Sequence, residues 1–113
     1  ACLPLLRQSP DASVVFTGET HGHRPGAYWG GYAVAKSGLE TLTRIWADEL
    51  DAESALRINT LIPGQVATTL RTRTHPGLAA AAVPAVDDLM PWYLYLMGAD
   101  SRTVRGQIIE CQP

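Results

Sequence analysis

Residues 56–64 read LRINTLIPG, a seven-residue run of β character closed by a Pro-Gly pair. Pro63 has no backbone N–H, so a sheet ladder cannot continue through it, and a strand is predicted over Leu56–Ile62. Upstream, Ser13–Thr17 is an apolar run that lies between a Ser-Pro-Asp turn and Gly18. A run that is apolar on both faces is typical of a buried parallel strand.

Helical periodicity separates these two strands and returns after the second one. From Tyr28 to Asp51 apolar residues recur every three or four positions, which predicts one long amphipathic helix. A second helix is predicted over Val86–Met97, followed by a closing strand over Gly106–Cys111. Residues 18–26 and 65–83 are rich in turn-forming and polar residues, so both segments are predicted to be loops.

The order strand-helix-strand-helix-strand predicts an α/β fold with a three-stranded parallel sheet, because helical crossovers connect parallel strands. The 113 residues contain no internal repeat and no linker, so a single domain is predicted over residues 1–113. The chain begins without methionine, at what reads as the end of a helix. We therefore expect it to be part of a longer protein.

Composition narrows the classes of function. The net charge of −2 and the pI near 5.8 provide no basic surface for nucleic acid. No apolar stretch approaches the roughly 20 residues of a membrane span. Cys2 and Cys111 do not resemble a disulfide framework, so free thiols and a cytoplasmic location are expected. His21, His23 and His75 lack metal-site spacing and are expected to be exposed loop residues without a metal.

Lys36, the single lysine of the chain, follows Tyr32 by four positions. On a helix these two side chains share a face, about 5–6 Å apart at Cβ. An ammonium there favours the ionised phenol, so the pKa of Tyr32 is expected to fall below its usual value of about 10. Such a tyrosine can exchange a proton with an alcohol or carbonyl oxygen. For the bare pattern, a chance pairing on an amphipathic helix is the alternative.

Four segments follow one another in a set order: VVFT at 14–17, YAVAKSGLE at 32–40, LRIN at 56–59 and PGQVAT at 63–68. This series resembles the C-terminal half of a short-chain dehydrogenase/reductase. The run MPWYLYLMG at 90–98, with DSR at 100–102, is most similar to the YciK-type bacterial members. The resemblance covers nearly the whole chain. It implies the C-terminal portion of a Rossmann-like, doubly wound parallel sheet, without the N-terminal nucleotide-binding half.

The resemblance also implies a function, hydride transfer between NAD or NADP and an alcohol or carbonyl of a small molecule. Tyr32 would be the acid/base, and Lys36 would lower its pKa and hydrogen-bond the nicotinamide ribose. Both would contact the cofactor, together with residues of the loop after the second strand, namely Pro63, Gly64, Val66 and Thr68. The full-length protein is expected to be a homodimer or homotetramer, because in this family the long helix commonly packs against its copy.

Two departures from the family pattern leave alternatives open. The family carries a serine about thirteen residues before the tyrosine, where Glu19 stands here. An ionised carboxylate cannot donate a hydrogen bond to an oxyanion, so either the adjacent Thr20 supplies the catalytic hydroxyl or the site is impaired. The glycine-rich turn that cradles the pyrophosphate is absent from these residues. The alternative function is therefore that of a catalytically inactive relative, acting as a binding or dimerisation module.

Overall fold

The computed structural model describes residues 1–53, 55–77 and 82–112. Within these ranges the elements are α1 (Leu3–Gln8), β1 (Ala12–Thr17), α2 (Thr20–His23), α3 (Gly30–Glu49), β2 (Leu56–Ile62), α4 (Thr69–Thr74), α5 (Met90–Met97) and β3 (Ile108–Glu110). Two 3-10 turns, Asp87–Leu89 and Ala99–Ser101, flank α5. No helix of this described part is long and apolar enough to cross a membrane.

The three strands form one parallel sheet in the order β1-β2-β3. β1 pairs along its whole length with β2, from Ala12 opposite Leu56 to Thr17 opposite Leu61. β3 pairs with the last three residues of β2. Helices lie between consecutive strands along the chain, so the predicted α/β fold is confirmed.

The central strand, β2, is buried at all seven of its residues. Its apolar side chains Ile58 and Leu61 are at most 2% exposed. Burial extends to charged Arg57, which forms an ion pair with Asp11 and donates a hydrogen bond to the Gly98 carbonyl at 2.7 Å. The guanidinium therefore links the turn before β1 to the end of α5.

Two further buried polar residues of β2 connect it to its neighbours. The Asn59 amide donates to the Val104 carbonyl at 2.8 Å and accepts from the Gln107 backbone N–H at 3.0 Å, which positions the segment before β3. The Thr60 hydroxyl lies 2.6 Å from that of Thr43 on α3. Since an unpaired buried polar group costs about 1–3 kcal/mol, these partners restrict where α3 and β3 can lie.

Two short helices occupy segments that were predicted to be loops, so that part of the prediction is wrong. α2 is capped by Glu19, whose carboxylate accepts from the His21 backbone N–H. α4 is capped by Thr68, whose hydroxyl accepts from the Arg71 backbone N–H. Helices of four and six residues are too short to show an apolar repeat, and their ends depend on such capping contacts.

The two long predicted helices are present with shifted starts. α3 begins at Gly30 rather than Tyr28, because Tyr28 has a φ of 71° and so lies outside right-handed helical conformation. The helix predicted from Val86 begins as a 3-10 turn and becomes α-helical at Met90. Pro91 lacks an N–H for the helical ladder and therefore occupies the first turn.

Replacing Leu61 by alanine should test the central position of β2. The side chain is fully buried, so Leu61→Ala should lower the free energy of unfolding by about 2–5 kcal/mol. Leu70→Ala, at a position that is 61% exposed, should change it by less than about 0.5 kcal/mol. Urea unfolding of the full-length protein measures both, and equal effects would contradict this assignment of the core.

Candidate active site

The candidate site lies where the carboxyl end of β1 meets the first turns of α3. Lys36 Nζ donates to the carbonyl oxygen of Thr17, the last residue of β1, at 3.4 Å. The same nitrogen lies 5.9 Å from the centre of the Tyr32 ring, and Tyr32 is 40% exposed. The structure thus brings the two predicted catalytic residues together at the carboxyl edge of the sheet, with the tyrosine accessible from outside.

Close packing of α2 on α3 sets the shape of this site. A Cβ atom built on Gly22 would lie 2.6 Å from Lys36 Cβ and 2.9 Å from the backbone nitrogen of Ser37. Both distances are shorter than atoms tolerate, so only glycine permits this approach. The contact holds the loop after β1 directly against the turn of α3 that carries Lys36.

Glu19 and Thr20, the two candidates for the hydroxyl position, lie at the start of α2. The Glu19 carboxylate accepts from the His21 backbone N–H at 2.6 Å and lies 3.1 Å from Nδ1 of the His21 ring. Thr20 is the first residue of α2, and its hydroxyl has no hydrogen-bond partner among the described residues. Glu19 is therefore engaged as a capping acceptor, whereas within the described part of the chain the Thr20 hydroxyl makes no competing hydrogen bond.

The electrostatic environment of Tyr32 is the reverse of the one predicted. Burial raises the pKa of Tyr32 above its usual value, and the negative charge of Glu19 raises it further. The Lys36 ammonium lies beside the ring and donates to the Thr17 carbonyl instead of offsetting these effects. The predicted fall in the Tyr32 pKa is therefore wrong in this structure. At neutral pH Tyr32 is a neutral phenol that can donate a hydrogen bond.

Aromatic and imidazole rings border Tyr32 and connect α2 to the end of α4. His21 stacks on Trp29 with centroids 3.9 Å apart, and Trp29 is tilted against Tyr32 at 5.7 Å. His75, which follows α4, lies nearly parallel to Trp29 at 6.1 Å. His21 and His75 are half-buried, so the expectation that they are exposed is wrong. The sequence spacing of these residues contains no signal for the stack, because it depends on where α4 folds back.

The four loop residues predicted to contact the nicotinamide fall into two groups. Pro63 and Gly64 form the turn at the carboxyl end of β2, where Gly64 has a φ of +77° and Gln112 donates to the Pro63 carbonyl at 2.8 Å. Val66 is half-buried beyond this turn, and the Thr68 hydroxyl is committed to capping α4 at 3.2 Å. Because parallel strands end at one edge of a sheet, Pro63 and Gly64 share the edge that carries the Tyr-Lys pair.

The chain is similar to known proteins over its full length. A family model described as short chain dehydrogenase matches residues 1–78. The chain is 38% identical over 113 residues to YciK, an uncharacterized oxidoreductase of Escherichia coli K12, and it covers 44% of that protein. It therefore spans less than half the length of this relative.

Solved structures of other proteins have the same fold as this chain. A short chain dehydrogenase from Salmonella enterica serovar Typhi superposes with a TM-score of 0.94 at 38% identity, over 98% of this chain and 45% of that one. A short chain dehydrogenase from Escherichia coli CFT073, complexed with NADPH, superposes with a TM-score of 0.91 at 39% identity, over 98% of this chain and 45% of that one.

Removing the charge of Glu19 should lower the pKa of Tyr32. Glu19→Gln eliminates the smaller of the two causes of the rise, so the Tyr32 pKa should fall yet stay above its usual value of about 10. Titration of a 13C-labelled tyrosine ring by NMR measures the shift. Glu49→Gln, at the exposed end of α3, is the matched control and should leave the titration of Tyr32 where it was. An unchanged Tyr32 titration in Glu19→Gln would show that burial alone is responsible.

Proposed function

The chain belongs to the short chain dehydrogenase family, and we propose that the full-length protein transfers hydride between NAD or NADP and an alcohol or carbonyl group of a small molecule. The observation that carries this proposal is the placement of Tyr32 and Lys36 at the carboxyl edge of the sheet, beside the turn at Pro63 and Gly64. The NADPH complex of the Escherichia coli CFT073 relative supports a nicotinamide cofactor.

The residues of the site fit a nicotinamide nucleoside. The Lys36 ammonium has three N–H donors, of which the Thr17 carbonyl occupies one at 3.4 Å, so others can reach ribose hydroxyls. At position 64 a Cβ would lie 3.0 Å from Gln112 Cβ, so the left-handed turn needs glycine and keeps the backbone of this edge compact. We infer that Pro63, Gly64 and Val66 would border the nicotinamide, with the backbone of Thr68 following.

The proposed chemistry begins with the protonation state of Tyr32. When bound in its reduced form, the nicotinamide would supply the hydride to the carbonyl carbon and would itself be oxidised. Tyr32 donates its proton to the carbonyl oxygen as negative charge develops there, since the phenol is protonated at neutral pH. Lys36, whose ammonium lies 5.9 Å from the ring centre, contributes through its N–H donors to the ribose and not by lowering the pKa of Tyr32. The Thr20 hydroxyl donates a second hydrogen bond to the same oxygen.

One observation favours the second candidate, an inactive relative that acts as a binding or dimerisation module. The Glu19 carboxylate stands at the serine position of the family and raises the pKa of the tyrosine. A negative charge there would also oppose an oxyanion on the substrate. Self-association through α3 is compatible with either candidate, because Val34 and Ile45 are 72% and 47% exposed on this helix.

We also propose that residues 1–113 form part of one larger domain and that the full-length protein is a homodimer or homotetramer. Within the described ranges, β1 pairs only with β2, so its other edge is open to a further strand. Open strand edges in globular proteins are usually covered or paired. The chain also spans less than half of its relatives, which is consistent with a sheet continued by further residues.

Tyr32→Phe should abolish most turnover of the full-length protein. Loss of the proton donor should reduce kcat for NADPH-dependent carbonyl reduction by about 10²–10⁴-fold, while NADPH binding measured by fluorescence persists. Tyr28→Phe is the matched control, since Tyr28 is fully exposed and four residues away. It should alter kcat by less than about twofold. Retained turnover in Tyr32→Phe would remove Tyr32 from the proposed role.

Glu19→Ser distinguishes a site in which Thr20 already supplies the catalytic hydroxyl from a site that Glu19 weakens. If Thr20 already supplies the hydroxyl, the added serine should change the rate of carbonyl reduction little. If the natural site is weakened by Glu19, the rate should rise by about tenfold or more, the scale of one oxyanion donor. Steady-state kinetics of the full-length variant measure this. We expect the smaller change, because the Thr20 hydroxyl has no competing partner in the described structure.

A further inference from the structure

The side chain of Gln112, which follows β3, binds the turn at the end of β2. Its amide Nε2 donates to the carbonyl oxygen of Pro63 at 2.8 Å and to that of Gln65 at 3.0 Å. These two carbonyls lie on either side of Gly64, the residue with left-handed backbone conformation. One side-chain amide therefore holds the turn at two points.

Packing between Gln112 and Gly64 supports the same arrangement. A Cβ atom built on Gly64 would lie 3.0 Å from Gln112 Cβ and 3.2 Å from both Cδ and Nε2. The Gln112 side chain thus lies along the turn, in space that a side chain at position 64 would crowd. Its backbone is held as well, because the Cys111 N–H donates to the Ile62 carbonyl at 2.9 Å and extends the pairing of β3 with β2.

The two carbonyl contacts also set the direction of two backbone donors. In a trans peptide the C=O and N–H bonds point in opposite directions. The carbonyls of Pro63 and Gln65 are directed toward Gln112. The N–H groups of the residues that follow them, Gly64 and Val66, are therefore directed away from it. Neither N–H has a hydrogen-bond partner among the described residues, so both are free to bind an acceptor.

The order of the strands decides which side of the turn these donors face. β2 is central, with β3 on one side and β1 on the other. Gln112 follows β3, whereas Lys36 is bound at the carboxyl end of β1 through the Thr17 carbonyl. Donors that point away from Gln112 are therefore turned toward the side on which Lys36 lies. Gln112 itself lies on the opposite side of the turn.

We propose that Gln112 is a positioning residue for the cofactor, because its amide holds the turn so that the N–H groups of Gly64 and Val66 face the nicotinamide end of the molecule. This inference rests on the proposed function. Gln112 acts through the turn and does not contact the ring. An apolar side chain of similar length at position 112 would leave both carbonyls without this donor, and the two peptide groups would no longer be held in one direction.

The binding test uses calorimetry on the full-length protein with NADPH or NADH, whichever binds more tightly. The matching fragment without nicotinamide, 2′-phospho-ADP-ribose or ADP-ribose, is the comparison ligand. Gln112→Met should raise the Kd of the whole cofactor about tenfold, the scale of one hydrogen bond, and should change that of the fragment by less than about twofold. Gln112→Lys retains N–H donors and should bring the Kd of the cofactor back to within about threefold of its natural value.

Gln107→Met is the matched control for loss of a glutamine amide. The Gln107 side chain is exposed and donates to the Arg105 carbonyl, away from the turn, so its loss should leave both affinities unchanged. Equal weakening of cofactor and fragment by Gln112→Met would show that Gln112 only stabilises the fold. Unchanged affinity for both would show that the turn does not need this contact. Either result overturns the inference.

A structural readout without cofactor distinguishes this inference from the proposed function. Residual dipolar couplings report the directions of the Gly64 and Val66 N–H bonds, and both couplings should shrink in Gln112→Met as motion averages them. Unchanged couplings would overturn the positioning role even in an active protein. If the natural protein binds neither NADPH nor NADH, the proposed function and the cofactor part of this inference both fail, whereas couplings that depend on Gln112 would still establish its hold on the turn. If Gln112→Met does not fold, Gln112→Asn, which withdraws the amide by one methylene, should give the same two results.

Discussion

Burial of every residue of β2 is the constraint on which the rest of the structure depends. A strand that carries Arg57, Asn59 and Thr60 into the interior needs fixed partners for their polar groups, since an unpaired one costs about 1–3 kcal/mol. Within the described residues the Nε of Arg57 has no partner, and the other buried side-chain groups of β2 are paired. Those partners are supplied by the turn before β1, the end of α5, the segment before β3 and the middle of α3. Satisfying β2 therefore also places the elements that build the candidate site.

The site itself depends on two close approaches at the carboxyl edge of the sheet. Gly22 lets α2 touch the backbone of α3, and the Lys36 ammonium reaches the last carbonyl of β1. Tyr32 lies near the positive charge of Lys36 and the negative charge of Glu19, and it is partly buried. Burial and the Glu19 carboxylate raise the pKa of Tyr32, and Lys36 does not offset them because its ammonium donates to the Thr17 carbonyl. The phenol is therefore neutral. A neutral phenol is the form that donates a hydrogen bond.

Histidines contribute to this arrangement in a way that residue type alone does not reveal. His21 pairs with Glu19 and stacks on Trp29, so it belongs to the wall beside Tyr32. His23, two positions later, is directed toward Glu40 and Glu110 instead. The short helix α2 thus directs one imidazole toward the candidate site and the other toward carboxylates of α3 and β3. Both depend on the same four-residue segment lying against α3.

Local patterns in the sequence were sufficient for the parallel sheet, the long helix and the Tyr32–Lys36 pair. Burial on both faces, a 3.6-residue repeat and a spacing of four are properties of neighbouring positions along the chain. The short helices α2 and α4 could not be read in this way, because caps and contacts rather than periodicity define them. Only the tertiary structure decided the direction of the Tyr32 pKa shift and the contacts of His23 with Glu40 and Glu110. Glu19 and Glu110 are distant in sequence from the groups they act on, and electrostatic effects follow distance in space.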